Sequence, residues 1–345
     1  MRRYEHGGEI YGGPPIRLDF SVNINPLGLP KSVENAIITH MPDYAHYPDP
    51  NCHNLVQALS VHHGVPESMI LCGNGASELI FALCACLKPK KALVTAPTFS
   101  EYERSVMIFG GEVKEHILRE DENFALTERI IDEIDPEIDL LFLCNPNNPT
   151  GRLSDSELLL KIADACRRNS ILLLLDECFI DFTRGVSLLP KLREYPNLLI
   201  LQAFTKFYAM AGLRLGSLYC ADEDILLRIR DFMPTWSVSV VAQAAGIAAL
   251  KEKKWQEYTW QLIEAERVFL NEALCKLGIT VYPSESNFLL IKTQRPLYET
   301  LRAKNILLRN CANFSGLDYG FFRIGIKNHA QNEKLLYAIK EIFND

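Results

Sequence analysis

The chain has 345 residues, with 36 Lys or Arg against 43 Asp or Glu and a formal net charge of −7. An acidic balance of this kind excludes a broad basic face for phosphate backbones, so no nucleic-acid partner is expected. With 48% hydrophobic and 23% charged residues the composition is globular rather than disordered, and a prior of about 150 residues per domain points to roughly two domains.

The longest aliphatic stretches, such as residues 171–175, fall far short of the ~20 residues that cross a bilayer, so no membrane association is expected. The opening Met1-Arg2-Arg3-Tyr4-Glu5-His6-Gly7-Gly8 lacks the apolar centre of a signal peptide, and a soluble cytoplasmic protein is expected. The ten cysteines form no Cys-x-x-Cys pair and sit mostly in apolar runs, as reduced buried thiols do. The eight histidines show no ligand spacing, and His62-His63 is read as lying on a helix surface, so no metal is expected.

In chain order, the segment to about Pro30 is rich in Gly and Pro and reads as an arm with little regular structure. From Leu71 to Cys220 short apolar runs alternate with helical patterns. The runs at 92–95, 140–144, 171–175, 198–201 and 216–220 suit strands buried on both faces of a mostly parallel sheet. Residues 155–168 carry apolar positions at helical spacing (Leu158, Leu159, Ile162, Ala163), and the alternation reads as an α/β domain. After Pro234 the pattern changes. Long helices are predicted at 240–250 and 258–277, the latter ended by Gly278, followed by strands near 288–291 and 321–326 and a helix at 331–343. That is a smaller α+β domain, and the division expected is 1–30, 31–235 and 236–345.

Open α/β sheets bind ligands at the carboxyl ends of their strands, so the residues just beyond each run are the candidates for chemistry. After Leu71-Cys72 comes Gly73-Asn74-Gly75-Ala76-Ser77-Glu78, either a plain capped turn or a helix start able to receive an anion. After 140–144 comes Asn145-Pro146-Asn147-Asn148-Pro149-Thr150-Gly151, a loop rigid enough to hold an Asn side chain at a set position. Asp176 ends the 171–175 run, either at the surface or buried with a cationic partner. Lys206 lies among apolar and small residues in Thr205-Lys206-Phe207-Tyr208-Ala209, where desolvation would make its amine nucleophilic. Arg214, eight residues on, is a fixed cation suited to a phosphate. An amine, an acid, an amide, an arginine and a phosphate-ready helix start together fit pyridoxal 5′-phosphate, which needs a lysine and an acid facing its ring nitrogen.

On these motifs the chain resembles the fold-type I, class I/II aminotransferase family over nearly its whole length. The resemblance implies a large domain built on a mostly parallel seven-stranded sheet, with a smaller C-terminal domain. Carried over by position, Lys206 is the Schiff-base lysine and Asp176 the partner of the pyridine nitrogen. Asn148 donates to the phenolic oxygen, Phe99 stacks on the ring, and Gly75, Ala76, Ser77 and Arg214 form the phosphate cup. Tyr47, in His46-Tyr47-Pro48-Asp49-Pro50, is implied to reach the neighbouring subunit's cofactor, hence a homodimer with shared sites. Two departures stand out. Ala203 replaces a hydroxyl residue, leaving Thr205 or water to substitute. Phe179 replaces a tyrosine.

His6-Gly7-Gly8, the stretch from Leu18 to Gly28, and Leu308-Arg309-Asn310-Cys311-Ala312-Asn313-Phe314-Ser315-Gly316-Leu317 resemble a decarboxylating branch of the family that acts on a phosphorylated amino acid. Transaminases of a phosphorylated amine are the near relatives, and a non-catalytic regulator is the remote one. The resemblance implies that His6, Asn25, Arg309 and Arg323 hold the substrate's carboxylate and phosphate. Read locally, the two arginines could equally be structural, and His6 could belong to a functionless terminus.

Overall fold

The computed structural model describes residues 6–13 and 15–344. The first five residues and Pro14 of the expected arm, and the final residue of the expected second domain, lie outside them. The chain runs β1 (Leu18–Asp19), α1 (Lys31–Thr39), α2 (His53–His63), β2 (Ile70–Gly73), α3 (Ala76–Leu87), β3 (Lys91–Ala96), α4 (Glu101–Ile108), β4 (Glu112–Ile117), β5 (Leu140–Cys144) and α5 (Ser156–Arg168). It continues through β6 (Leu172–Asp176), β7 (Leu198–Ala203), α6 (Phe204–Phe207), β8 (Gly216–Cys220), α7 (Glu223–Arg230), α8 (Val240–Ala249) and α9 (Trp255–Lys276). Last come β9 (Thr280–Val281), β10 (Phe288–Lys292), α10 (Leu297–Ala303), β11 (Ile306–Leu307), β12 (Arg309–Asn310), β13 (Phe321–Gly325) and α11 (His329–Asn344).

Seven strands form one sheet in the order β2-β8-β7-β6-β5-β3-β4. Only β8 runs antiparallel to its neighbours, β2 and β7. The apolar runs are explained by helices on both faces. Along β5, Leu140 and Phe142 enter one core while Leu141 and Leu143 enter the other; β6 and β7 alternate in the same way. The edge strand β4 reads Glu-Val-Lys-Glu-His-Ile and is largely exposed, which is why its pattern carries no apolar signal. Helix α5 begins where Asp155 accepts the Glu157 N–H, and buries Leu159, Ile162, Ala163 and Cys166.

A second sheet, ordered β12-β13-β10-β9, is antiparallel throughout and packs with α9, against which α11 lies in turn. The arm contributes β1, which pairs in parallel with β11 (Leu18↔Ile306, Asp19↔Leu307). Helix α8, which comes after the change of pattern at Pro234, packs on α1 and α2 of the first layer and buries Ala242, Ala245 and Ala249 there. The lack of a side chain at Gly246 permits this, since a Cβ would stand 2.5 Å from Leu215 Cδ2. Of the pair read as a helix surface, only His62 is exposed. His63 is half-buried edge-on to Tyr219, and burial followed by the charge of His62 pushes its imidazole down to about 3. Among the described residues no helix is long and apolar enough to cross a membrane, and no group of side chains is arranged to hold a metal.

Candidate active site

The carboxyl ends of β5, β6 and β7 and the start of α3 open onto a cavity of about 470 Å³, closed on the far side by the arm, β12 and β13. Lys206 lies in α6, one short turn beyond the end of β7, and lines this cavity with its Nζ 5.0 Å from the centroid of the Phe179 ring. An aromatic face this close shields the amine from water while leaving it without a hydrogen-bonding phenol.

Asp176 ends β6, is 5% exposed and lines the same cavity. A buried position at the end of an apolar run calls for a cationic partner. The structure supplies neutral donors instead: the Tyr102 hydroxyl gives a hydrogen bond to Oδ2 at 2.6 Å, and the Cys178 N–H one to Oδ1 at 2.9 Å. Burial and the Asp176 charge push the Tyr102 phenol well above its ordinary value, so it stays a donor. Sequence reasoning misses Tyr102, whose only signal is its place three residues after Phe99 at the start of α4. Among the described residues both donors to this carboxylate are neutral, which leaves it able to pair with a cationic group of a ligand.

Asn148 is held by Arg323, whose Nη1 donates to the Asn148 Oδ1, which leaves the amide nitrogen as donor to a ligand oxygen. Its neighbours serve the loop. Asn147 Nδ2 donates to the Pro97 carbonyl and to Thr150 Oγ1, both at 3.0 Å, and Asn145 Oδ1 accepts the Ser154 N–H at 2.7 Å. Phe99, Ala76, Ser77, Thr205 and Arg214 also line the cavity.

Gly75 does not line the cavity but shapes it. It sits at φ +85°, and a Cβ there would stand 2.6 Å from Arg214 Nη2. The absence of that atom lets the guanidinium lie against the first turn of α3, where unpaired N–H groups and a cation converge. Ala203, at the end of β7, is absent from the residues around the cavity, whereas Thr205 is among them.

The substrate candidates divide. Arg323 and Arg309 are each 6% exposed and reach the cavity from β13 and β12. Arg323 Nη2 donates to the Ser21 carbonyl at 2.7 Å, its Nε is buried without a partner, and burial pushes its guanidinium down to about 10. Arg309 Nη2 donates to Asn313 Oδ1 at 2.8 Å. His6 lines the cavity and lies 5.8 Å from the Phe99 ring.

Asn25 does not join them. Its Nδ2 donates to the Phe207 carbonyl and to Thr259 Oγ1, both at 2.8 Å, and its Oδ1 accepts the Leu27 N–H, so it braces the arm against α6 and α9. The asparagine that does line the cavity is Asn23, 6% exposed, with its Oδ1 buried and without a partner. Nothing local separates the two in sequence; the turn after Asn25 decides which faces the cleft. Tyr47 lies outside the cavity of its own chain, 78% exposed and stacked 4.3 Å from Trp236.

A large, mostly parallel sheet with a lysine and an acid at its strand ends, facing a helix start lined by Arg214, defines a class. The chain belongs to the class I and II aminotransferase family, whose model matches residues 15–341. Members of the family are pyridoxal-phosphate-dependent enzymes. Among curated proteins the chain is 42% identical to a threonine-phosphate decarboxylase of Salmonella typhimurium, over 98% of this chain and 96% of that one. Among solved structures it is similar to the histidinol-phosphate aminotransferase of Clostridium acetobutylicum (TM-score 0.89, 32% identity, covering 95% and 99% of the two chains). It is also similar to the L-threonine-O-3-phosphate decarboxylase of Porphyromonas gingivalis (TM-score 0.85, 26% identity, covering 95% and 100%). The backbone is therefore shared by both chemistries.

Proposed function

We propose that this chain is a pyridoxal-phosphate enzyme that decarboxylates L-threonine O-3-phosphate to 1-amino-2-propanol phosphate. The 42% identity over nearly the full length of the Salmonella decarboxylase carries the choice, because shape alone does not separate decarboxylase from transaminase. Two buried arginines over one cavity, with His6 beside them, support a substrate bearing two anionic groups, a carboxylate and a phosphate.

The cavity residues fit the cofactor. The cradle at Gly75, the amide of Asn148 turned by Arg323, and Asp176 held by neutral donors each leave one matching contact open. Lys206 would hold it covalently, Asp176 would face its ring nitrogen, Asn148 its phenolic oxygen and Phe99 its ring. Gly75, Ala76, Ser77, Thr205 and Arg214 would form its phosphate cup. When bound, pyridoxal phosphate supplies an electron sink for the bond standing perpendicular to its plane.

The chain's own part is to choose that bond. Arg323, Arg309, His6 and Asn23, which line the cavity together, would hold the substrate so that its Cα–carboxylate bond, rather than Cα–H, is the one that breaks. Lys206, the amine that lines this cavity, would be free to carry a proton at Nζ when the substrate's amine takes its place on the cofactor. With Phe179 lacking a phenol, Asn148 is the remaining side-chain donor for the phenolic oxygen. Tyr47, turned outward, is proposed to serve a second copy's cleft, which makes the working unit a homodimer.

The test is a product assay. Enzyme with cofactor and L-threonine O-3-phosphate should release CO₂ without any oxo acid. Amino-group transfer from histidinol phosphate to 2-oxoglutarate with no CO₂ would instead make the chain a transaminase. No turnover with either substrate would make it a non-catalytic binder.

A further inference from the structure

One charged side chain at the rim of the cleft is left unused by this assignment. Glu101, at the start of α4, lines the cavity yet is only 5% exposed. A carboxylate so placed needs partners, and among the described residues it has two. Arg104 Nη1 donates to Oε2 at 3.0 Å, and His6 Nε2 lies 2.8 Å from Oε1. Burial by itself pushes the Glu101 carboxyl up; the hydrogen bond and charge of His6, then the charge and hydrogen bond of Arg104, outweigh it and hold the carboxyl below its usual range.

His6 arrives from the other side of the cleft. Gly8 N–H donates to Ser21 Oγ at 2.8 Å, and Gly7 lies so close to Ser21 that a Cβ would stand 2.2 Å from its carbonyl oxygen. That same carbonyl accepts Arg323 Nη2. Residues 6–8 thus span from the support of Arg323 to α4, and His6 also borders a smaller adjoining cavity with Arg309.

We propose that Glu101 is a positioning residue: it latches the His6 segment across the cleft and, by occupying Nε2, presents the other ring nitrogen to the substrate's phosphate. The inference rests on the phosphorylated-substrate reading above. An ionised carboxylate makes Nε2 the donor, so Nδ1 is the ring atom left for a ligand in a cavity that Arg309 and Arg323 also line, and it donates to a phosphate when the ring is an imidazolium.

The experiment compares Glu101→Leu, Glu101→Gln, His6→Ala and the Glu101→Leu/His6→Ala double variant as holoenzymes. Losing a charge-assisted contact to phosphate should raise KM for L-threonine O-3-phosphate about tenfold in Glu101→Leu and in His6→Ala, with kcat moving less. The double variant should be no worse than the poorer single one, because both changes remove one unit. Glu101→Gln, which keeps an acceptor oxygen, should recover most of the affinity. Amide exchange at residues 6–8 should quicken in Glu101→Leu. Additive losses in the double variant, or an unchanged KM together with unchanged exchange, would overturn the proposal. If Glu101→Leu does not fold, His6→Ala and Glu101→Gln carry the comparison. The exchange measurement, and the binding of inorganic phosphate by each variant, read the latch even if the product assay moves the reaction to transamination.

Discussion

The Tyr102 hydroxyl donates to Asp176 Oδ2 at 2.6 Å, deep between α4 and the end of β6, in a place where both groups are buried. Removing it in Tyr102→Phe leaves one carboxylate oxygen unsatisfied, at a cost of about 1–3 kcal/mol. Weaker cofactor binding and a fall of about tenfold or more in kcat/KM are expected, with a modestly lowered melting temperature of the holoenzyme. Cofactor titration by absorbance measures the first and steady-state kinetics the second. Unchanged values for both would show that Asp176 needs no orienting donor.

Gly75→Ala should uncouple Arg214 from the start of α3. The new methyl meets the guanidinium at 2.6 Å, and φ +85° is strained for any L side chain, a backbone cost of about 1–3 kcal/mol. The expected outcome is a cofactor dissociation constant raised about tenfold or more, measured by reconstitution of the apoprotein. The circular dichroism of the fold should be preserved.

Glu177 is next to Asp176 but points away into the sheet, where Ser187 Oγ (2.5 Å), Leu188 N (2.9 Å) and Gln202 Nε2 (3.2 Å) donate to it. Burial pushes its carboxyl from 4.5 up to about 7. The folded form therefore holds this proton to higher pH than the unfolded form does. Its contribution to stability is fully present below about 4.5 and is lost as pH rises through about 7. At about 1.4 kcal/mol per tenfold change, the loss is on the order of 3 kcal/mol. Glu177→Gln should gain that much relative to the parent between pH 5 and pH 8, read from denaturant unfolding at both. A parallel pH dependence in the two proteins would refute the assignment.

The two arm asparagines should separate cleanly. Asn25→Ala removes a side chain whose amide is fully bonded to the chain itself, so it should cost about 1–3 kcal/mol of stability and leave KM nearly alone. Asn23→Ala removes a side chain with an unpartnered oxygen in the cavity, so KM should rise with little change in melting. The reverse pattern would return Asn25 to the substrate side.

Much of this molecule is legible in one dimension because its signals are local. Strands β5, β6 and β7 announce themselves as unbroken apolar runs, since a parallel strand covered on both faces has no polar side to show. Asp176, which ends one of those runs, and Lys206, just beyond another, therefore mark the binding edge of the sheet. The edge strand β4 stays hidden because half of it faces water. Which groups meet across long sequence separations was decided only by the tertiary structure. Tyr102 faces Asp176 across 74 positions and His6 reaches Glu101 across 95, and the turn after Asn25 sends that side chain to Thr259 and leaves Asn23 in the cleft. Hydrophobic periodicity encodes which face of an element is buried; it carries no record of which distant polar atom fills the remaining hydrogen bond, because that depends on how the packed layers come to rest against one another.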